Sequence, residues 1–339
     1  VNEKLHSVAL RLLPAIGYGD AAGLPSEGKT VYEIQQLYGE ITQLVAPTEH
    51  PLFTHAGRGA TSDDTQLSLA TAWSLIAEDD VSLTSLRDIH IEMYELTPRV
   101  RDGDSMRARG WGGATVKAVE RMTRGVSPLE SGEKGSAGNG VVMKMGPLAV
   151  WQAFRDIDTQ TRHEQYDMFT TMTHDSEIAR VCTRLHGDVL LTLMNETESL
   201  PEVVCRYTDS IQNEFIGEAD VLRRAVTRPC RDAAELAQRY ADGKTGTQYG
   251  FYAPETLAIA YDIFLGTKGV MNIAVYRAAN LGGDSDSVAS IVAAMSVCAT
   301  GDLYKEQDEI QYVQGVDVLR SISQELSFMV PGNERGGRR

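Results

Sequence analysis

Two short acidic stretches hold residues whose types and spacing can do chemistry. The first is Gly59-Ala60-Thr61-Ser62-Asp63-Asp64-Thr65-Gln66-Leu67, where two carboxylates stand side by side behind hydroxyls and a glycine. Far downstream, Gly282-Gly283-Asp284-Ser285-Asp286-Ser287 repeats the arrangement. Taken singly, each is an ordinary helix start, since free N–H groups there carry partial positive charge, and Gln66 would complete a capping box with Asp63. Brought together in space, four carboxylates would share one site. Each like-charged pair at ~4 Å then costs about 4 kcal/mol at an effective dielectric of about 20. Hard divalent cations remove that cost, and donors that are all oxygen suit magnesium or manganese. The expectation is a two-metal oxygen site built from two helix N-termini.

The elements that must position these acids are helical. Apolar residues recur at helical spacing after both clusters: Leu67, Ala70, Thr71, Ser74 and Leu75 in one, Val288-Ala289-Ser290-Ile291-Val292 in the other. Similar patterns predict helices over 2–16, 30–43, 63–78, 83–96, 114–124, 141–151, 160–172, 176–197, 202–226, 232–240, 255–265, 268–280, 285–299 and 305–327. Loops rich in glycine and proline separate them at 44–62, 99–113, 127–140 and 245–254. No segment shows sustained alternation bounded by hairpin turns, so the fold class expected is all-α, a compact helical bundle. No composition break marks a linker, which favours one domain over 1–330, and 331–339 reads as a disordered tail.

Composition narrows the partners. A net charge of −15 over 339 residues repels phosphate backbones, which argues against nucleic acid as a partner. No apolar run is long enough to span a membrane. Residues Val1 to His6 lack the layout of a signal peptide, and four scattered cysteines (Cys182, Cys205, Cys230, Cys298) suit reduced thiols, so the cytoplasm is expected. The seven histidines show no zinc spacing.

Smaller features carry two readings each. Gly17-Tyr18-Gly19-Asp20-Ala21-Ala22 matches a dinucleotide fingerprint, but a helix pattern with Pro14 precedes it where a strand is needed. Asp20 reads as a turn former and Glu27 as an exposed acid beyond the turn. Gly138-Asn139-Gly140 at a helix start offers bare amides to an anion, or is a plain loop. His174 either meets a ligand or caps the next helix. Trp111, Tyr249, Phe251 and Tyr252 are core anchors or faces for a base.

In order, the chain runs Gly19-Asp20-Ala21-Ala22-Gly23-Leu24-Pro25-x-Glu27, Ser62-Asp63-Asp64-Thr65-Gln66, Gly112-Gly113-Ala114-Thr115 and Gly138-Asn139-Gly140-Val141-Val142-Met143-Lys144. Thr173-His174, Pro254-Glu255-Thr256-Leu257 and Gly282 to Ser287 follow. That series resembles the ADP-ribosylglycohydrolase family, which includes the dinitrogenase-reductase-activating glycohydrolase and ADP-ribosylarginine hydrolases. The resemblance covers about Leu5 to Gly301. It implies an all-α orthogonal bundle with two magnesium or manganese ions at the base of an ADP-ribose cleft. It implies Ser62, Asp63, Asp64, Asp284, Asp286 and Ser287 as metal ligands, with Asp63, Asp64 and the neighbouring Glu27 as the acids that act in catalysis. Gly112, Gly113, Gly138, Asn139, Gly140, Met143, His174, Phe251 and Tyr252 match positions around the ADP-ribose. Serine stands where the family commonly has threonine in the metal motifs, which keeps the ligating hydroxyl. Lys144 stands where an arginine is usual, and the loop at 110–113 lacks a polar residue that many arginine-specific members carry.

The implied activity is hydrolysis of the N-glycosidic bond to arginine on an ADP-ribosylated protein, by a monomer, with release of ADP-ribose. Service as an antidote to an ADP-ribosyltransferase fits the same chemistry. The alternatives are another linkage, to serine or in O-acetyl-ADP-ribose, and a member that binds ADP-ribose or a partner without catalysis.

Overall fold

Helix α1 (Glu3–Gly23) runs unbroken through Pro14 and through Gly17, Gly19 and Gly23, where the sequence pattern predicts a break after residue 16. Tertiary packing overrides local propensity here. From Leu12 to Gly23 every residue of α1 is buried. Its partner is α15 (Ser285–Thr300), buried from Ser285 to Cys298. A Cβ on Gly19 would lie 2.3 Å from Ala289 O, and one on Gly23 would lie 2.2 Å from Ser285 O. The contacts run in opposite senses along the two helices, so the pair is antiparallel. The C-terminal turns of α1 therefore lie against the N-terminus of α15. Because the dinucleotide-like glycines are interior to this helix, no strand precedes them and that reading falls.

The computed structural model describes residues 3–102, 105–155, 157–211, 213–303 and 307–331; the expected tail at 331–339 lies outside them except for Pro331. After α1 come α2 (Val31–Tyr38), α3 (Asp63–Glu78), α4 (Leu83–Leu96), α5 (Gly113–Thr123), α6 (Pro128–Ser131) and α7 (Gly146–Ala153). Next are α8 (Thr159–Thr171), α9 (Glu177–Asn195), α10 (Leu200–Ser210), α11 (Ile216–Thr227), α12 (Ala233–Tyr240), α13 (Ala253–Gly266) and α14 (Met271–Leu281). Beyond α15 lie α16 (Gln307–Ile310) and α17 (Val316–Phe328). The all-α expectation holds. The patterns read as single helices over 202–226 and 305–327 are each interrupted, and α2 stops early at Gly39, whose φ is 67°.

Two small β elements were not foreseen. Residues 99–113, expected to be a solvated loop, contain the hairpin β1 (Arg99–Asp102) and β2 (Ser105–Ala108), with Arg99 paired to Ala108. Strands of four residues are too short to show alternation. The second is a parallel pair, β3 (Glu133–Lys134) with β4 (His174–Asp175). It holds His174 beside the glycine-rich loop. A main apolar core draws on residues from Leu5 to Val330 around α1 and α15.

The close approach of α1 and α15 gives a direct test. Gly19→Ala should destabilise the protein by about 2 kcal/mol or more in urea unfolding, because the methyl meets backbone that cannot yield. Gly17→Ala should cost less than Gly19→Ala. Its Cβ would meet side chains, Leu319 at 2.8 Å and Val313 at 3.1 Å, and no backbone, and alanine gains about 1 kcal/mol of helix propensity. Equal effects at the two positions would contradict this packing.

Candidate active site

Helix α3 begins where it does because Ser62 caps it, its Oγ accepting from Asp64 N at 3.2 Å. Asp63 and Asp64 occupy the first turn. The expected box between Asp63 and Gln66 does not form, because Gln66 Oε1 instead accepts from Trp111 Nε1 at 2.7 Å and Thr97 Oγ1 at 3.1 Å. A second cap comes from α1. Asp20 accepts from Ser62 N at 2.9 and 3.0 Å, from Thr65 N at 3.1 Å and from the Thr65 hydroxyl. Asp20 is no turn former. It moors the start of α3 to the end of α1. The sequence signal was present: it is the lone acid in the otherwise uncharged stretch Leu12–Gly23.

The start of α15 meets the same point. Ser287 Oγ donates to Asp64 Oδ2 at 3.1 Å and Ser290 Oγ to Asp64 Oδ1 at 2.7 Å. With Ser62 Oγ donating at 3.3 Å, three hydroxyls surround the Asp64 carboxylate. Asp284 Oδ2 accepts from Asn139 Nδ2 at 2.7 Å, and Asp286 Oδ1 from Ser287 N at 3.0 Å. Glu27 follows the short turn Leu24–Ser26 that ends α1, and Ser26 and Ser285 both donate to Gly23 O at 2.9 Å. One oxygen each of Glu27, Asp284 and Asp286 lies within 4.8 Å of the others. His50 Nδ1 accepts from Leu52 N at 3.1 Å, which places its ring proton on Nε2, and Nε2 donates to Glu27 Oε2 at 2.8 Å.

Burial is the first cause of the electrostatics. It raises Asp64 to about 7, helped by Asp284, and Asp284 to about 6. It raises Asp63 well above its ordinary value, with Asp64 adding repulsion, and does the same to Asp286 with Glu27. Asp20 is also raised to about 7 by burial and then by Asp64. Among the described residues no lysine or arginine forms an ion pair with Asp63, Asp64, Asp284 or Asp286. Buried carboxylates that repel one another and offer only oxygen fit a hard divalent cation.

Above the acids opens a cleft of about 340 Å³. Glu27, Asp63, Asp64, Asp284, Asp286 and Ser287 form its floor and side, and Ser62 stands behind Asp64. Gly112 and Gly113 form one wall, where Gly112 N donates to Asp63 Oδ2 at 3.1 Å. Gly138, Asn139, Gly140, Met143, His174 and Phe251 form another. The glycine loop enters a short 3-10 turn, Asn139–Val141, where an α-helix was expected, and Asn139 N is spent on Phe251 O at 3.1 Å. His174 packs under this loop with Nδ1 2.9 Å from Thr173 Oγ1; burial, then Lys144, pushes it down to about 3. Lys144 is itself buried, Nζ 3.2 Å from His90 Nε2, and pushed down to about 7 by burial.

Tyr252 does not join the cleft. Its side chain is partly exposed, and its hydroxyl donates to Glu218 at 2.9 Å. Trp111 and Tyr249 are buried anchors: the indole bonds Gln66, and the Tyr249 hydroxyl donates to Leu281 O at 2.9 Å. Arg107 and Thr115 line the cleft and were not singled out from the sequence. Arg107 lay in what read as a loop. Thr115 was visible in the stretch Gly112-Gly113-Ala114-Thr115; it is buried against Gly140, and its Oγ1 has no hydrogen-bond partner among the described residues.

Comparison with known proteins adds a family. A family model described as ADP-ribosylglycohydrolase matches residues 3–320. A protein of Archaeoglobus fulgidus, described as "Uncharacterized protein", is 24% identical over 305 residues, covering 87% of each chain. A solved structure described as "ADP-ribosylglycohydrolase-related protein complex" superposes with a TM-score of 0.69 at 21% identity, covering 97% of this chain and 99% of that one. That likeness is one of fold.

The raised carboxylates set the sign of a metal-linked pH effect. Holding protons on Asp64 and Asp284 favours the fold at low pH, and that contribution is lost as pH rises through about 6 to 7. A cation competes with those protons, so its stabilisation grows in the same window. Millimolar Mg²⁺ or Mn²⁺ should raise the Tm of metal-free protein more at pH 7.5 than at pH 5. Metal at 100 times its Kd would contribute about 2.7 kcal/mol. Asp284→Ala should remove most of the shift. A shift equal at both pH values, or kept in the variant, would count against a cation among these acids.

Proposed function

The chain belongs to the ADP-ribosylglycohydrolase family, and on that footing we propose that it is a metal-dependent hydrolase of ADP-ribosylated protein, cutting the N-glycosidic bond between ribose and an arginine guanidinium. The observation that carries this is the meeting of both acidic motifs and Glu27 at the bottom of one cleft. Asp63, Asp64, Asp284 and Asp286, with Ser62 and Ser287, would hold two Mg²⁺ or Mn²⁺. When bound, such ions supply Lewis acidity toward the ribose hydroxyls and the attacking water.

The chain's own residues divide the remaining work. Asp64 is committed to three hydroxyl donors, whereas Asp63 has one backbone donor, Gly112 N. Asp63 is therefore the better placed of the two to take a proton from water. The anionic surroundings favour positive character at the anomeric carbon. The Gly138–Gly140 loop would face the diphosphate. His174, kept uncharged by burial, supports that loop from below. Phe251 supplies an aromatic face to the nucleotide, and Tyr252 leaves the set of ligand contacts. Four free cysteines, three of them buried, suit a reducing cytoplasm.

Arginine-linked and serine-linked ADP-ribosyl substrates, each with and without Mg²⁺, separate this reading from its neighbours. Release of free ADP-ribose is expected from the arginine linkage, dependent on the cation. Asp63→Asn should lower kcat about 100-fold or more with the fold retained. Turnover of the serine linkage alone would transfer the chemistry to that bond. Full activity in chelator, or in Asp63→Asn, would end the account of the mechanism.

A further inference from the structure

A second cleft, of about 570 Å³, adjoins the first, and Glu27 and Phe251 belong to both. Glu27 reaches within 4.8 Å of Asp284 and Asp286, so the two spaces join beside the acidic site. A leaving group that departs past Glu27 would enter the second cleft. Its walls combine apolar surface from Leu37, Pro51 and Leu52 with the carboxylates of Glu33 and Glu49. Lys29 is also among them; burial lowers its pKa, while Glu27, Glu33 and Glu49 favour its charged form. His50 forms part of the wall and fixes Glu27 Oε2 from this side. Leu37, on α2, is 47% exposed there.

We propose that this second cleft is the leaving-group subsite, and that it receives the modified arginine side chain with the basic polypeptide around it. The assignment rests on the hydrolase reading above. An arginine stem is aliphatic and its head cationic, which matches an apolar floor beside acids. A chain of net charge −15 repels an acidic partner and attracts a basic one. Glu33 spends one oxygen on the Thr30 cap, whereas Glu49 stands exposed on the loop before His50. Glu49 is thus the acid to change.

The probe is an unmodified peptide rich in arginine and lysine, compared with a charge-reversed peptide of equal length, titrated into the metal-loaded protein. The basic peptide should bind more tightly, and its affinity should fall as salt rises. Glu49→Lys should weaken it about fivefold, and Glu49→Gln less. In turnover, Glu49→Lys should raise KM for an ADP-ribosylated basic peptide about fivefold more than KM for a small ADP-ribosylated guanidino compound. Equal binding of the two peptides overturns the proposal. So does a Glu49→Lys variant that weakens free ADP-ribose as much as peptide, since the cleft would then serve the nucleotide. Failure of the hydrolase reading is a different result: no ADP-ribose released by the unaltered protein, with basic-peptide binding intact.

Discussion

Carboxylates that are forced together out of water govern this structure. Asp20, Asp63, Asp64, Asp284 and Asp286 are all buried, and each is raised above its ordinary pKa chiefly by that burial. Two devices offset the cost. Hydroxyls and amides from Ser62, Thr65, Ser287, Ser290, Asn139 and Gly112 donate to the oxygens. The remaining oxygens of Glu27, Asp284 and Asp286 are left close enough to share a cation. Hydrogen bonds to charged groups are worth about 1.5–3 kcal/mol each, so they offset part of a desolvation penalty of several kcal/mol per ion. A divalent cation among these oxygens would supply what hydrogen bonds do not.

The end of α1 is the common anchor. Its Asp20 captures the first turn of α3, its Gly19 and Gly23 let α15 come to backbone contact, and the turn beyond it carries Glu27. One helix terminus thereby sets the positions of three acidic segments that are far apart in the chain. A fourth segment, the glycine loop at 138–140, is tied in by Asn139 on Asp284 and by Phe251 O on Asn139 N. The cleft and its floor are therefore parts of one hydrogen-bonded unit, and a shift at Gly19 or Asp20 would be felt at the acids of the cleft.

Helix starts and acidic motifs were legible in the sequence because their signals are local. A capping serine, adjacent acids and an apolar run mark the start of α3 at Asp63, and similar cues mark α15. What was not legible depends on partners distant in sequence. The length of α1 is set by what packs on its glycines, and the role of Asp20 by a loop beyond α2. Tyr252 and Phe251 are adjacent in sequence, yet one turns to Glu218 and the other to the cleft. The hairpin at 99–108 is too short to leave a periodic trace, which hid Arg107. Family resemblance supplied the substrate, which no spacing of residues expresses.

The most direct measurement is an anomalous difference map from crystals of the protein soaked in Mn²⁺, with Asp284→Ala as the control. Two peaks bounded on one side by Asp63 and Asp64 and on the other by Asp284 and Asp286, and lost in the control, are the predicted result. No peak there, or manganese found only on exposed acids, would contradict a site shared by the two motifs.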